Sequence, residues 1–349
     1  MKTKFKITNY KKIAIINTAF IGDTVISFFL AQAIKNVHPN SEITFVSTPK
    51  VQELIPLIKA IDTHLVYDKR KRDKGIKGFI NLIRKLRRNK IELILSPHRS
   101  LRTSLITFLS RPKVSVSYTT SSLNFLYTNK VEYLFGYHEV ERNLNLLSIF
   151  DEFYPNFDLP KVDIFYPKEL FEKVEKILSS IKNKRFIVIA PGSIWKTKRW
   201  TEEGFIEVSM YFKNNGFKVV LIGSLDDYKI CKKIEDRTNA LNLAGKVNLA
   251  EALLIIKSSE LLITNDSSPT HLASLVNCPT ITIYGPTIPE FGFYPLSERN
   301  RIVQIEKLNC RPCSIHGYNQ CPLKHHRCIT EIKPEEVIMN ANELLFQKN

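Results

Sequence analysis

Residues 13–46 read IAIINTAFIGDTVISFFLAQAIKNVHPNSEITFV. An apolar run at 13–16 is followed by a turn-like segment at 18–23, an amphipathic stretch at 24–37 and a second apolar run at 42–47. Short apolar runs that alternate with longer helical stretches are typical of parallel sheets covered by helices. This stretch therefore predicts a strand, a loop, a helix and a second strand, which is the start of an α/β fold.

The same alternation continues and starts again after residue 167. The pattern predicts further strands at 65–67, 91–96, 186–190, 218–222, 261–264 and 280–284, and further helices at 51–61, 78–89, 169–182, 201–214, 225–238, 249–258 and 270–275. The stretch 151–167 contains three prolines and is typical of a linker. We therefore expect two Rossmann-like, doubly wound α/β domains that face a central cleft, at 1–165 and 166–349, the second ending in a Cys-rich tail and a terminal helix.

Composition and charge restrict the class of protein. The chain has 349 residues, of which 44% are hydrophobic and 24% charged, and this excludes a disordered, fibrous or small disulfide-stapled protein. The net charge of +17 lies mostly in the first half, and residues 69–113 contain 15 basic side chains against two acidic ones. Such a block predicts an anionic partner, although a solvated basic face is the alternative.

The sequence also predicts where the protein works. Lysines precede an apolar stretch near the start, but Gly22 and Asp23 interrupt it, so we expect neither a signal peptide nor a membrane span. We expect a cytoplasmic protein with at most peripheral membrane contact. The isoelectric point of about 9.5 raises the possibility of nucleic-acid binding, but no helix-turn-helix, finger or RNP signature is present. We therefore expect no nucleic-acid partner.

Polar loops follow several of the predicted strands, where open parallel sheets bind their ligands. In the loop 17–23, Gly22 permits close backbone approach, and Asp23 is either a helix N-cap or a functional carboxylate. In the loop 190–200, Gly192, a hydroxyl and lysines can hold phosphate, although the spacing of a P-loop is absent.

A third loop, at 264–271, precedes a predicted helix. The backbone amides of Ser267 and Ser268 would form an anion site at the helix start, one suited to a diphosphate. His271 is either part of this site or a buried core histidine. The sequence alone does not decide between them.

Four cysteines cluster in the tail, at positions 310, 313, 321 and 328, with histidines between them. Cys310, Cys313, Cys321 and Cys328 have gaps that match no standard zinc finger. Structural zinc, reduced thiols in a packed loop and disulfides are the three alternatives, and a cytoplasmic location disfavours the last.

Eight segments, taken in this order, resemble the ADP-heptose lipopolysaccharide heptosyltransferases of glycosyltransferase family 9, which have the GT-B fold. They span nearly the whole chain: 13–46, SPHRSLRTSLI (96–106), HEVERNLNLL (138–147), APGSIWKTKRWTEEGF (190–205), VVLIGS (219–224), 241–256, 261–289 and 310–337. The chain departs from the family at Asn17, where an arginine is common, at Ala19, where a glycine is common, and at Ser267–Ser268 in place of Thr or Ser followed by Gly. These departures bear on the substrate more than on the chemistry.

The resemblance implies inverting transfer of a heptose from ADP-heptose to the anionic inner core of lipopolysaccharide, beside the inner membrane. It implies that Asp23 is the general base. For the donor, some residues match the motifs of the family and others lie beside them in the same loops after strands. Together they are Ser193, Lys196, Lys198, Asp266, Ser267, Ser268 and His271. Either Asp226 or Asp227 would bind the ribose hydroxyls, as acidic residues do after a nucleotide-binding strand.

For the acceptor, the basic block and the matching segments indicate Gly22, His98, Arg99, Arg102 and Arg142. No catalytic metal or other cofactor is required by these motifs. The alternatives are a transferase of another nucleotide-activated sugar to a cell-envelope glycan, a nucleotide-sugar epimerase of the same fold, and an inactive member that binds glycolipid.

Overall fold

The structure, a computed structural model, describes residues 5–153 and 159–346. The chain divides into two compact units, Met1–Phe165 and Tyr166–Asn349. Each unit is built on one six-stranded sheet in which every pairing is parallel.

Unit 1 has the strand order β3-β2-β1-β4-β5-β6. Its strands are β1 (Lys12–Ile16), β2 (Glu42–Ser47), β3 (Thr63–Val66), β4 (Leu93–Leu95), β5 (Val114–Tyr118) and β6 (Asn129–Val131). Its helices are α1 (Ile21–Val37), α2 (Gly75–Arg88), α3 (Leu101–Ser110) and α4 (Glu139–Asn145).

Unit 2 has the strand order β12-β11-β10-β7-β8-β9. Its strands are β7 (Phe186–Ala190), β8 (Lys218–Leu221), β9 (Leu241–Asn242), β10 (Leu262–Asn265), β11 (Thr280–Tyr284) and β12 (Asn300–Gln304). Its helices are α5 (Lys168–Ile177), α6 (Glu202–Asn214), α7 (Tyr228–Thr238), α8 (Leu249–Ser258), α9 (Ser268–Val276), α10 (Arg327–Thr330) and α11 (Pro334–Phe346).

The two sheets have the same topology. Numbered within its own unit, each sheet runs 3-2-1-4-5-6, which is the Rossmann order. The central strands β1, β7 and β10 are almost wholly buried, because helices cover both faces of each sheet. The predicted fold class is therefore confirmed.

Each unit has its own hydrophobic core. In unit 1, side chains of β1 and β4 pack with Leu82, Ile83 and Leu86 of α2. In unit 2, the core includes Trp200 and the inner face of the terminal helix α11. The core of unit 2 thus reaches from the loop after β7 to the end of the described chain.

The helix predicted at 51–61 is wrong. The structure has two short 3-10 turns there, Pro49–Val51 and Ile55–Leu57. Pro56 has no backbone N–H to donate within a helix, and Ile58 is extended and bridges to Ile164 instead. That bridge anchors the end of the predicted linker, of which residues 154–158 lie outside the described residues.

The longest helix in the described residues is α1, with 17 residues. A helix that spans the hydrocarbon core of a bilayer needs about 20 apolar residues. No helix in the described parts of the chain is long and apolar enough to cross a membrane.

Candidate functional site

Most of the predicted site residues follow the four strands at which the sheets reverse their order, whereas Asp226 and Asp227 follow β8 and Arg142 lies in α4. These reversals lie between β1 and β4 in unit 1 and between β7 and β10 in unit 2. Crevices at such switch points, beyond the carboxyl ends of the strands, bind ligands in open α/β sheets. Each unit therefore has a candidate site of its own.

Asp23 lies in the first turn of α1, which begins at Ile21, so neither Gly22 nor Asp23 belongs to the preceding loop. Asp23 is the third helical residue and not the N-cap, and its Oδ2 accepts a hydrogen bond from the Phe20 backbone N–H at 3.3 Å. Burial, followed by the negative charge of Glu139, raises the pKa of Asp23 to about 6. A carboxylate of this kind is suited to accept a proton near neutral pH.

Asn17 orders the turn that carries Asp23. Its side-chain amide donates to the backbone carbonyl of Asp23 at 3.0 Å and to Ser27 Oγ at 2.7 Å, while its Oδ1 accepts from the Ala19 N–H at 3.1 Å. Asn17 is buried. The sequence marked this position only as a departure from the family, and it gave no sign of this supporting role.

His98 is the centre of a cluster of hydroxyl groups. Its Nδ1 lies 3.1 Å from Thr18 Oγ1, 3.0 Å from Thr103 Oγ1 and 3.4 Å from Ser100 Oγ. Burial and then the charges of Lys69 and Arg99 lower the pKa of His98 to about 4. The imidazole is therefore neutral at physiological pH and acts through hydrogen bonds.

Lys69 joins this cluster from a distant part of the chain. Its Nζ donates to the Thr18 backbone carbonyl at 2.8 Å. Burial, followed by the nearby Arg102 and Arg70, lowers the pKa of Lys69. The sequence placed Lys69 in the basic block but did not identify it as part of the site.

Arg99 and Arg102 are exposed at the start of α3. The Arg99 guanidinium lies 4.0 Å from the centre of the Tyr133 ring, and Arg102 donates to the Tyr67 hydroxyl at 3.2 Å. Both cations are thus held by aromatic side chains and remain accessible to an anionic ligand.

Arg142 lies in a different environment from the other predicted acceptor residues. It is buried and donates to Glu139 Oε2 at 2.9 Å, to the Tyr133 hydroxyl at 3.0 Å and to the Leu134 carbonyl at 2.9 Å. These bonds join the start of α4 to the segment before it, and α4 packs against α1. This geometry gives Arg142 a supporting position behind Asp23.

In unit 2, the structure brings together two predicted residues from separate loops. Lys198 Nζ lies 2.5 Å from Asp266 Oδ2, and both side chains are about nine-tenths buried. The same oxygen accepts a hydrogen bond from Thr287 Oγ1 at 2.7 Å, a partner that the sequence did not indicate. Asp266 therefore fixes the lysine ammonium beside the start of α9.

The helix α9, beside which the anion site was predicted, begins two residues earlier than expected. Ser267 is the N-cap and Ser268 the first helical residue, so the amides named from the sequence lie in the cap and first turn. Asn265, just before them, donates to the Pro191 carbonyl at 2.8 Å and accepts from the Trp200 N–H at 2.9 Å. This buried amide ties the loops after β7 and β10 together, a role the sequence did not reveal.

His271 is buried in the second turn of α9, edge-on to Phe293. Burial lowers the pKa of His271 to about 4; the charge of Asp266 opposes this shift and that of Lys198 adds to it. The ring is therefore neutral and lies near the Lys198–Asp266 pair.

The two aspartates predicted as alternatives for binding the ribose hydroxyls differ in burial. Asp227 is buried, accepts from Ser224 N–H and Oγ at 2.9 and 2.7 Å, and pairs with Arg199 at 3.3 Å. Its carboxylate packs so closely on Gly192 that a Cβ there would lie 2.2 Å from Asp227 Cγ. Asp227 therefore holds loops together, whereas Asp226 is exposed.

Two further predicted donor residues lie in the loop after β7. Ser193 is buried, and its backbone carbonyl accepts from Arg199 Nε at 2.8 Å. Lys196 is exposed in the 3-10 turn Lys196–Lys198. The turn thus contains one exposed lysine, Lys196, and one lysine held by Asp266, Lys198.

Comparison with known proteins identifies the family of the chain. The model of glycosyltransferase family 9 (heptosyltransferase) matches residues 79–324, which is more than two thirds of the chain. The chain belongs to glycosyltransferase family 9. It is therefore a glycosyltransferase, and the predicted family is confirmed.

One curated relative and two solved structures match the family 9 chain over almost its full length. Lipooligosaccharide heptosyltransferase 2 of Haemophilus influenzae is 27% identical, over 95% of this chain and 99% of the relative. A family 9 structure from Veillonella parvula DSM 2008 has a TM-score of 0.82 and 22% identity, over 97% and 98% of the two chains. The Escherichia coli ADP-heptose lipopolysaccharide heptosyltransferase II has a TM-score of 0.79 and 21% identity, over 96% and 99%. The fold is that of the GT-B glycosyltransferases.

In this family 9 chain, the Cys-rich segment supports the lysine turn directly. Thr197 Oγ1 donates to the Tyr318 carbonyl at 2.9 Å and accepts from the Tyr318 N–H at 2.8 Å, while the Thr197 N–H donates to the same carbonyl. The Trp195 and His316 rings stack at 6.3 Å. The Cys-rich segment therefore packs against the turn that carries Lys198 and supports it.

The four tail cysteines are free thiols in the structure. Burial raises the pKa of Cys328 to about 11, and the neighbouring cysteines add to that shift. Cys310 Sγ lies 3.9 Å from His325 Nε2. Within residues 5–153 and 159–346, however, no three His, Cys, Asp or Glu side chains are arranged to hold a metal ion.

Proposed function

We propose that this family 9 chain transfers a heptose, with inversion, from ADP-heptose to the inner core of lipopolysaccharide. The observation that carries the proposal is the Lys198–Asp266 pair, which holds a lysine ammonium beside the backbone N–H groups at the start of α9, an arrangement suited to a sugar diphosphate. Heptosyltransferase relatives that match along nearly the whole chain support the same sugar and acceptor.

The donor half of the reaction belongs to unit 2. Lys198 and the amides of Ser267 and Ser268 would bind the diphosphate, where negative charge develops as the bond to the sugar breaks. Asp266 orients the lysine, and Ser193, Lys196 and His271 line or support the same edge. Asp226, the exposed member of its pair, is the better candidate for the ribose hydroxyls.

The acceptor half belongs to unit 1. Asp23 takes the proton of the acceptor hydroxyl as its oxygen forms the bond to the anomeric carbon, and ADP leaves with the electron pair of the broken bond. Gly22 lies beside it, and His98 orders the loop by hydrogen bonds. Arg99 and Arg102 would bind the phosphates or carboxylates of the acceptor, while Arg142 supports α4 behind Asp23.

The donor class is tested by calorimetric titration with ADP, UDP, GDP and NAD in parallel. We expect ADP to bind with clear preference, because the similar Escherichia coli heptosyltransferase II is named for an ADP-linked sugar. A preference for UDP or GDP would overturn the sugar donor while leaving the transferase fold intact. Binding of none of the four would contradict the donor site itself.

We further propose that the enzyme is cytoplasmic and touches the cytoplasmic face of the inner membrane peripherally, because its acceptor is a glycolipid and its first half is strongly basic. Fractionation of cells that express the chain tests this location. Recovery in the periplasm would contradict it, and release from membranes by salt is the expected behaviour.

Structural zinc at the four tail cysteines stays a prediction. Their thiols are not arranged as ligands in this structure, so no step of the reaction is assigned to a metal. Metal analysis of the purified chain tests the prediction. Bound zinc that is lost in Cys310→Ser would support the site, and a metal-free, fully active protein would contradict it.

A further inference from the structure

We propose that the outer surface of α2, α3 and the 3-10 turn Asn124–Leu126, called here the α2–α3 face, docks on an anionic phospholipid membrane. The proposal rests on the proposed function in one respect, which is that the acceptor of the transferase lies in such a membrane. It goes further by naming the surface and the lipid chemistry that it binds.

The first observation is that the polarity of α3 is reversed. Its buried face carries hydroxyl groups, at Thr103, Ser104, Thr107 and Ser110, together with Ile106. Its outer face carries Leu101, Phe108 and Leu109, which are 53%, 50% and 37% exposed. A surface helix of a soluble protein normally points its apolar stripe inward. The reversed pattern indicates that this outer face meets an apolar environment.

The buried hydroxyl groups of α3 all make hydrogen bonds. Rotating the helix to bury its apolar side chains would therefore break these bonds. Thr103 lies in the His98 cluster, Thr107 Oγ1 lies 3.1 Å from Ser96 Oγ, and Ser104 Oγ donates to the Ser122 carbonyl. Ser110 Oγ donates to the Ile106 carbonyl at 2.7 Å. These contacts hold the apolar side chains of α3 outward.

The second observation is that neighbouring elements extend the same surface. Arg87 Nε of α2 donates to the Leu109 carbonyl of α3 at 2.8 Å. The outer side of α2 exposes Ile76 and Ile80, and the turn that packs on α3 exposes Phe125, which is 69% accessible. The apolar side chains thus form a patch over three elements and not a single exposed residue, and such patches mark interaction surfaces.

The third observation is the charge around this patch. Residues 74–113 contain 11 basic side chains and a single acidic one, Glu92. Glu92 is itself bound by Lys113 Nζ at 2.6 Å and by the backbone N–H groups of Lys11 and Lys12. On α2 the exposed cations include Arg84, Lys85, Arg87 and Arg88.

Apolar side chains within a basic field fit the surface of an anionic bilayer. Leucine, isoleucine and phenylalanine enter the boundary between headgroups and acyl chains, while lysine and arginine attract the anionic headgroups. The position in the fold agrees with this, because α3 starts next to Arg99 and Arg102 and is only about 15 Å long at 1.5 Å per residue. Docking through this face would hold the acceptor arginines close to the lipid surface.

The test is flotation of the purified full chain with two kinds of vesicle, one of phosphatidylglycerol and phosphatidylethanolamine and one of phosphatidylcholine alone. We expect binding to the anionic vesicles only, weakened by added salt. Phe108→Ser/Leu109→Ser and Arg84→Glu/Arg88→Glu should each lower this binding at least about tenfold. The second variant alters only exposed cations, so it remains informative if the first fails to fold.

Matched controls come from similarly exposed residues of unit 2. Phe171→Ser/Met339→Ser and Lys213→Glu/Lys229→Glu should bind vesicles as the wild type does. Equal loss in test and control variants, unchanged binding in both test variants, or no vesicle binding by the wild type would overturn the proposal. Binding to a DNA duplex in preference to anionic vesicles would also overturn it, in favour of a nucleic-acid surface.

The vesicles contain no glycolipid, so this result is independent of sugar transfer. Transfer assays with the same variants separate the two proposals. We expect the test variants to lose activity on a membrane-embedded acceptor and to keep it on a deacylated, soluble one. No transfer to either acceptor by the wild type would refute the proposed function and leave the docking result standing.

Discussion

Asp23 is the side chain on which the proposed proton transfer depends. Replacing it in Asp23→Asn removes the base but keeps its size, so kcat should fall by roughly 10²- to 10⁴-fold. ADP affinity should stay within about twofold, because the donor residues lie in unit 2. Steady-state kinetics and calorimetry measure the two quantities, and an unchanged kcat would show that another group accepts the proton.

The raised pKa of Asp23 also predicts the pH dependence of the rate. Only the deprotonated carboxylate accepts a proton, so activity should be full above the pKa and should fall as the pH drops through about 6. An ordinary aspartate would give this fall near pH 4. A profile of kcat/KM between pH 4 and pH 8 measures it, and a fall near pH 4 would contradict the burial inferred for Asp23.

Lys198 should contribute most to binding of the diphosphate. Lys198→Ala removes a charge-assisted contact and leaves the buried Asp266 carboxylate without its cation, so ADP affinity should fall at least about tenfold. Lys213→Ala, on an exposed part of α6, is the control. Calorimetry with ADP compares them, and equal affinity in both variants would remove Lys198 from the donor site.

At the residue scale, the sequence predicted candidate site residues where a polar side chain follows a predicted strand. Asp23, Lys198 and Asp266 are of this kind. Asn17 and Thr287 could not be predicted, because their roles are hydrogen bonds to residues that only the tertiary fold brings near. Whether Asp226 or Asp227 is the better candidate for the ribose hydroxyls likewise depends on which side chain is exposed. The sequence of two adjacent aspartates does not show this.

At the scale of elements, the contact between the Cys-rich segment and the lysine turn should tune donor binding. Thr197→Val keeps the shape of the side chain but removes both hydroxyl bonds to Tyr318. The two bonds together contribute about 1–3 kcal/mol to the stability of this contact, and because only part of that energy acts on the donor site, ADP affinity should fall about 3- to 10-fold.

The control for Thr197→Val is Thr238→Val, which removes a buried hydroxyl bond in α7 and should lower the melting temperature without changing ADP affinity. Calorimetry and thermal melting measure both variants. If both variants bind ADP like the wild type, the tail does not position the lysine turn.

Elements were predictable where periodicity and local chemistry agreed. The strand β7 and the helix α8 have the predicted bounds, since an apolar run and a capped periodic stretch define them. The prediction for the stretch 51–61 was wrong because its apolar residues have the spacing of a helix. Pro56 and the bridge between Ile58 and Ile164 oppose a helix there. α3 was not predicted, because its buried face is made of serine and threonine.

At the scale of the whole molecule, the two units should respond differently to nucleotide. ADP should slow amide hydrogen exchange in unit 2, at residues 191–200, 224–228, 265–271 and 316–318, because bound ligand stabilises the loops that hold it. Mass-spectrometric exchange with and without ADP measures this. Protection confined to unit 1 would reverse the assignment of donor and acceptor units.

The Rossmann topology of both units was predictable, because a series of alternating strands and helices occurs twice along the chain. Right-handed crossovers leave few other arrangements for such a series. The candidate sites were predictable to the level of loops for the same reason. Their contacts were not, since residues as distant as Lys69 and Thr18, or Thr197 and Tyr318, meet only in the folded units.

The most direct test of the central claim is a transfer assay read by mass spectrometry of the glycolipid. Purified enzyme is incubated with ADP-heptose and a lipopolysaccharide core that lacks inner-core heptose or carries only its first heptose, alongside the Asp23→Asn and Lys198→Ala variants. We predict a gain of one heptose on the acceptor with release of ADP, and little or no gain with either variant. Release of ADP without a modified acceptor, or an isomerised nucleotide sugar, would contradict the assignment of a heptosyl transferase.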